Sequence, residues 1–499
     1  MNNTYEKYVT TLQKLADIEH SIAVLGWDKE VNLPENAASI RSRQVATLSG
    51  IAHEIFTSDE FGTVLHQLNS SPEDLNFKQT RNVKNTLREF NKLKKYSNEF
   101  VIKRSKIISN TYHAWLKARK QNDFGLFKGP LKEMISIKKE ETELLGYEDH
   151  PYDALIDIFE PETKTEQLTI LFKDVREQLV EFVKQLNEKQ QVDDSFLYKF
   201  YPKQKQWDYG IKLLKAMEYD FKTGRQDLSP HPFTTSFGST DVRVTTRIDE
   251  HNFGNMTWSC IHEGGHALYE QGLPIDEYGL PSGKYISLGF HESQSRLWEN
   301  NVGRGLGFWK FHYNDLQELF PGNLKNVGVH DFYKGINKVV PSLIRTESDE
   351  LHYHFHILIR FEIEKGLIEG SIEVEDLDKI WNEKYKSYLG IDVPDDNSGV
   401  LQDIHWAHGS IGYFPTYSLG SFYAAQFFHQ ALKDVPNLAS QIENGNTSNL
   451  LKWLRENIHQ HGMTYNADEL CKKITGEELN FRYFMDYAKE KYTAIYNIK

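Results

Sequence analysis

Two histidines four positions apart with a glutamate between them, His262-Glu263-Gly264-Gly265-His266, are the residues of this chain best suited to chemistry. On a helix, positions four apart lie one above the other on the same face, so both imidazoles can reach one metal ion. Glu263 then sits beside that ion, placed to take a proton from a metal-bound water. A catalytic zinc takes three protein ligands and keeps a fourth position open. The third ligand has to come from a second element. Glu292, in His291-Glu292-Ser293-Gln294-Ser295-Arg296, is the candidate; Glu299, on a similar helical face, and His291 are the alternatives. Metal, base and open position together are the equipment of a zinc peptidase.

Such a peptidase also needs donors aimed at the oxyanion that forms on the scissile amide. His405, in the stretch from Gly399 to Trp406, and Tyr413 and Tyr417, between Gly412 and Gly420, are the candidates. An enzyme working at a free C-terminus must hold a carboxylate, which the forked guanidinium of Arg does best. Arg345, Arg243 and Arg296 qualify, and spacing alone does not choose among them.

The elements that must position these groups can be read around them. Met256 to Ile261 is apolar enough to bury the start of the metal helix; Ala267, Leu268 and Tyr269 continue it, and Gly272 and Pro274 end it. The glycine pair costs about 1 kcal/mol per residue in helix propensity, so a close approach by another element or a substrate is expected there. Upstream, Ser239 to Ile248 alternates β-branched and polar residues, a strand signal, and as an edge strand it could pair with an extended peptide. Most of the remaining chain reads as helix: 4–25, with Tyr8, Leu12, Leu15, Ile18, Ile22 and Leu25 at three-four spacing and a break at Gly26-Trp27-Asp28, then 35–57, 78–120, 126–145, 164–189 and 482–496. Arg81 to Lys95 reads as a solvent-facing charged helix. Val339 to Leu367 reads as one long helix, on which only His352 and His356 of the trio His352, His354 and His356 align, so the trio is read as packing beside the site.

Composition narrows the class. The chain has 499 residues, 39% of them hydrophobic, enough for a large core or two to three lobes. A net charge of −13 argues against nucleic acid as a partner. The N-terminus has no basic stretch leading into an apolar run, and no apolar run reaches the roughly 18 residues of a membrane span, so neither a signal peptide nor a membrane partner is expected. Two cysteines, Cys260 and Cys471, make no disulfide scaffold and fit a reducing cytoplasm. Cys260, two positions before His262, reads as a small buried residue.

In chain order, His231-Pro232-Phe233, Asp241-x-Arg243-x-Thr245, His262-Glu263-x-x-His266, His291-Glu292-Ser293, Ile344-Arg345 with Asp349, and Gly399-x-x-Gln402-Asp403-x-His405-Trp406 form a series that resembles the carboxypeptidase Taq family. The resemblance extends to Gly26-Trp27-Asp28 and to Tyr152 through Asp157. One departure is Ser348, where the family's Ile-Arg-x-x-Ala-Asp has alanine. The resemblance implies a metallocarboxypeptidase that removes single residues from peptide C-termini with broad preference and poor action on proline. It implies Zn2+, with Co2+ able to substitute, and a homodimer. It implies a mainly α, two-lobed, neurolysin-like fold with a deep central groove and a small antiparallel β-sheet beside the zinc helix. In that arrangement residues 1–499 form one catalytic unit, with helices of 1–75 over the groove, the strand and zinc-helix core in 230–300, and substrate-binding helices in 340–425. Carried over by matching motif, His262, His266 and Glu292 bind metal and Glu263 is the base. His405 and Tyr417, with Tyr413 the alternative, are oxyanion or substrate donors, and Arg345 helps to hold the terminal carboxylate. Asp241, Arg243 and Thr245 close the end of the groove and limit substrate length.

Overall fold

The computed structural model describes residues 3–498. The described residues are mainly helical, with one small sheet. Four N-terminal helices, α1 (Asn3–Val31), α2 (Ala38–Phe56), α3 (Asp59–Ser70) and α4 (Phe77–Lys94), build a core of their own. Tyr5, Tyr8, Leu12 and Leu15 of α1 meet Phe61, Leu65 and Leu68 of α3 and Val83 and Phe90 of α4, and Leu280 joins them from elsewhere. The expected break at Gly26-Trp27-Asp28 does not occur: α1 runs through it, and Trp27 is buried under the Arg243 guanidinium, 4.4 Å from its ring. Tertiary stacking there overrides the weak helix propensity of glycine.

The joint between this unit and the rest is largely polar, and α4 carries most of it. Lys78 pairs with Glu277 at 3.2 Å, Arg81 with Glu469, and both Arg88 and Lys92 with Asp157. Asn85 donates to the Met463 carbonyl at 2.8 Å. From α1, Glu19 faces Lys284 at 3.4 Å and Asp17 accepts from the Tyr278 hydroxyl at 3.0 Å. The charged face read as solvated in Arg81 to Lys95 is thus mostly engaged with other elements.

The span 78–120 is two helices, α4 and Asn98–Gln121, separated where the Ser97 hydroxyl accepts from the Phe100 amide and caps the second. Helices at Gly125–Leu145, Thr165–Asn187 and Arg482–Tyr496 match the sequence pattern. Val339 to Leu367 does not form one helix. The helix begins at His352 and runs to Glu369, because Asp349 caps it, its Oδ1 accepting from the amides of Leu351 and His352. His352 contacts Asp349, His354 contacts Ser418 and His356 contacts Tyr385, so all three pack within the fold.

The sheet has strands β1 (Gly224–Leu228), β2 (Thr234–Ser236) and β3 (Val242–Thr246) in the order β1-β3-β2. It is mixed, not antiparallel as expected: a tight turn returns β3 along β2, and β3 inserts parallel to β1. The strand read from the sequence, β3, is therefore central, and β2 is the edge beside the metal helix. From Phe100 to Tyr496 nearly all the buried apolar residues make one continuous core around these elements, Leu280 being an exception.

Candidate metal centre

The metal helix is Phe253–Gly272; a second helix, Leu288–Arg296, continues into a π-helical segment, Leu297–Gly303. They cross at Gly265, where a Cβ would lie 2.6 Å from Ser295 Cα, so only glycine permits this approach. From the other side the helix Pro415–Asp434 presses Gly420 against Glu292, where a Cβ would lie 2.5 Å from Glu292 Cγ. The second helix starts at Ser287, which accepts from the Phe290 amide at 3.1 Å, while the buried Glu160 carboxylate accepts from the Gly289 amide. Burial pushes the Glu160 carboxyl up to about 8.

This packing converges three ligand atoms. The Nε2 atoms of His262 and His266 lie 3.6 and 3.4 Å from Glu292 Oε2, and one ligand atom from each residue lies within 4.8 Å of the others. Two imidazole nitrogens and one carboxylate oxygen suit a divalent transition metal such as zinc. Burial alone would keep Glu292 protonated, but the Arg296 guanidinium and then His262 hold it well below the usual carboxylate range. Arg296 Nε donates to Oε1 at 2.6 Å, and Oε2 faces the histidines. Burial and the neighbouring His291 push His266 down to about 3, which keeps its imidazole neutral. Glu299 lies behind His262, with Oε2 2.9 Å from Nδ1, and is itself held by Arg296 and Arg304. His291 lies behind His266. Both alternatives to Glu292 thus meet the outer nitrogens of the two histidines.

Glu263 is 8% exposed; burial raises its carboxyl above the usual range, against the pull of His262. Its Oε2 accepts from the Thr234 hydroxyl at 2.7 Å, which ties it to the edge strand β2. Cys260 is buried against Met256 and Gln226.

The late-chain residues gather beside Glu292, reached through Arg296. The Arg296 guanidinium lies 4.6 Å over the Tyr353 ring, which meets Tyr417 edge-on at 6.1 Å. The Tyr417 hydroxyl is 3.2 Å from His405 Nε2, and the Tyr413 ring is 5.2 Å from that of Tyr417. Arg345 is buried, with Nε and Nη2 donating to Asp403 Oδ1 at 3.0 and 2.9 Å and Nη1 to the Tyr353 hydroxyl at 2.9 Å. Its fork is filled by the protein, and its charge lies 4.9 Å from the Tyr417 ring. Arg243 is likewise paired, donating to both Asp241 oxygens at 2.9 and 2.8 Å between the rings of Trp27 and Phe237. The Thr245 hydroxyl is turned inward, within 2.7 Å of Ser229 Oγ, and accepts from the Phe233 amide.

Three contributors gave no signal in the sequence. Thr234 steadies Glu263, and Tyr353 bridges Arg296 to Arg345. Glu364 accepts from Trp406 Nε1 at 2.8 Å, from the Gly412 amide at 2.9 Å and from the Tyr152 hydroxyl at 2.5 Å, fixing the stretch that follows His405.

A family model described as carboxypeptidase Taq (M32) metallopeptidase matches residues 7–492. The chain is 39% identical to carboxypeptidase 1 of Bacillus subtilis (strain 168), over 99% of both chains. The solved structure of the M32 carboxypeptidase from Deinococcus radiodurans R1 superposes with a TM-score of 0.97 at 35% identity, covering 100% of each chain. The structure of CHT superposes with a TM-score of 0.96 at 55% identity, covering 98% of this chain and 99% of that one.

Proposed function

This chain belongs to the carboxypeptidase Taq (M32) metallopeptidase family and is a metal-dependent carboxypeptidase, and we propose that it releases single amino acids from peptide C-termini with broad preference, using zinc held by His262, His266 and Glu292. The observation that carries this reading is the convergence of those three ligand atoms within 4.8 Å, with Glu263 next in sequence to His262. Bound there, zinc supplies Lewis acidity to the scissile carbonyl and to a water; cobalt can take its place.

The chain's own residues do the rest. Glu263, steadied by Thr234, takes the water's proton and later delivers it to the leaving amine. A peptide lying along the free side of β2 would run past Glu263 in extended form. The hydroxyl of Tyr417, with Tyr413 the alternative, and the imidazole of His405 donate to the oxyanion. Arg345 contributes a buried positive charge behind Tyr353 and Tyr417, drawing the terminal carboxylate toward the Tyr353 hydroxyl, which accepts from Arg345 and can donate onward. Asp241, Arg243 and Thr245 close the end of the groove and limit substrate length. In this reading residues 1–499 form one catalytic unit of two lobes about a deep groove, with the helices of 1–75 over it, the strand and metal-helix core in 230–300 and substrate-binding helices in 340–425. A homodimer follows from the resemblance, and two buried free cysteines fit a cytoplasmic enzyme.

The test is a mass-spectrometric time course on one decapeptide, with free or amidated C-terminus, using protein loaded with zinc or with cobalt. A ladder losing one residue at a time from the free form alone is expected. Internal cuts in both forms would replace this reading with an endo-acting oligopeptidase and remove the roles of Arg345 and Arg243. Glu263→Gln is expected to retain stoichiometric zinc yet lose turnover by about 10²–10⁴-fold; near-normal turnover would remove Glu263 as the base.

A further inference from the structure

The outer sides of the two metal-facing histidines are built differently. His262 meets a carboxylate directly, through Nδ1 and Glu299 Oε2 at 2.9 Å. His266 meets another histidine: its Nδ1 lies 2.6 Å from His291 Nδ1, and His291 Nε2 lies 2.8 Å from Glu270 Oε1. The two rings are inclined by 27° with centroids 4.5 Å apart, and 2.6 Å is closer than stacked faces can come, so the nitrogens meet edge to edge. Tyr269 and Tyr285 flank His291, and it is largely buried.

An edge-to-edge pair of nitrogens needs one donor and one acceptor. An ionised carboxylate only accepts, so the proton between His291 and Glu270 sits on His291 Nε2. With His266 facing the metal site through Nε2, its own proton lies on Nδ1, so His291 accepts there with Nδ1 and donates to Glu270 from Nε2. The only lone pair left to His266 is on Nε2, the atom that faces Glu292 Oε2. We infer that Glu270 and His291 are positioning residues, a two-step hydrogen-bond relay that fixes His266 in the one tautomer able to bind the metal. The inference rests on His266 being a metal ligand. His291 therefore acts behind the metal site and donates nothing to it, although it neighbours the ligand Glu292.

Outer partners of metal-bound histidines are worth about 10–100-fold in metal affinity. Zinc affinity of the full chain, measured by chelator competition, separates the cases. His291→Phe keeps a flanked ring but neither hydrogen bond, and is expected to lose about 10–100-fold. His291→Gln can accept from His266 with its amide oxygen and donate to Glu270 with its amide nitrogen, and is expected to restore most of that loss. Imidazole nitrogen NMR on the metal-free wild type, which needs no variant, is expected to show His266 protonated at Nδ1. Wild-type affinity in His291→Phe, a Gln variant as weak as the Phe variant, or a His266 protonated at Nε2 would each overturn the relay. Failure of the wild type itself to bind zinc would overturn the metal-ligand reading beneath it.

Discussion

A single buried carboxylate governs the loop that sets His405 against the Tyr417 hydroxyl. Glu364 gathers three donors, from Trp406, Gly412 and Tyr152. Burial nevertheless raises its pKa from 4.5 to about 7. The folded pKa lies above the unfolded one, so the folded state holds this proton more tightly than the unfolded chain. The stabilisation is complete below about 4.5 and is lost as the pH rises toward about 7. Melting temperatures across that window are expected to fall more steeply for the wild type than for Glu364→Gln; parallel curves would mean that Glu364 does not titrate there. Glu364 also marks the limit of what single residues disclose. His262 and His266 announce themselves because a helix places neighbours four positions apart on one face. Glu364, Glu299 and Thr234 act on residues 42, 37 and 29 positions away, and no local spacing encodes those distances.

Helices set the site by how closely their backbones meet. The glycine pair within the metal helix has two different neighbours. A Cβ on Gly265 would lie 2.6 Å from Ser295 Cα, a backbone atom, whereas on Gly264 it would lie 2.8 and 2.9 Å from the ends of Leu214 and Met217. Side-chain ends can move and a helix backbone cannot. Gly265→Ala is expected to destabilise the protein by about 1–3 kcal/mol despite its better helix propensity, and to weaken metal retention. Gly264→Ala is expected to lie within about 1 kcal/mol of wild type. Equal losses in chemical denaturation would remove the argument from close approach. The need for such an approach was readable in the paired glycines, but its partner was not. Other elements were misread for definite reasons. The amphipathic pattern of 78–120 runs across Ser97, whose cap divides it, and the apolar run from Val339 conceals the Asp349 cap that starts the helix at His352. Strand β2 has three residues, too few to establish an alternation, and β1, Gly-Arg-Gln-Asp-Leu, has no β-branched residue to mark it.

At the scale of the whole molecule, two cores meet across a polar seam. The N-terminal helices bury their own apolar residues and reach the rest through Lys78, Arg81, Arg88 and Lys92 of α4 and through Asp17 and Glu19 of α1. Partly exposed ion pairs contribute about 0.2–1 kcal/mol each, and salt at about 1 M shortens the screening length to roughly 3 Å. Raising the salt is therefore expected to speed amide hydrogen exchange in α1 to α4 while leaving the metal helix protected. Unchanged exchange in α1 to α4 would show that the seam is not held by charge. Heat acts on such a seam in the opposite sense to salt. Warming lowers the cost of stripping water from charged groups, while the apolar contribution per unit area levels off. The fastening of the N-terminal helices thus gains on the core it covers as the temperature climbs, and a cold, salty solution is where the two parts come apart most readily.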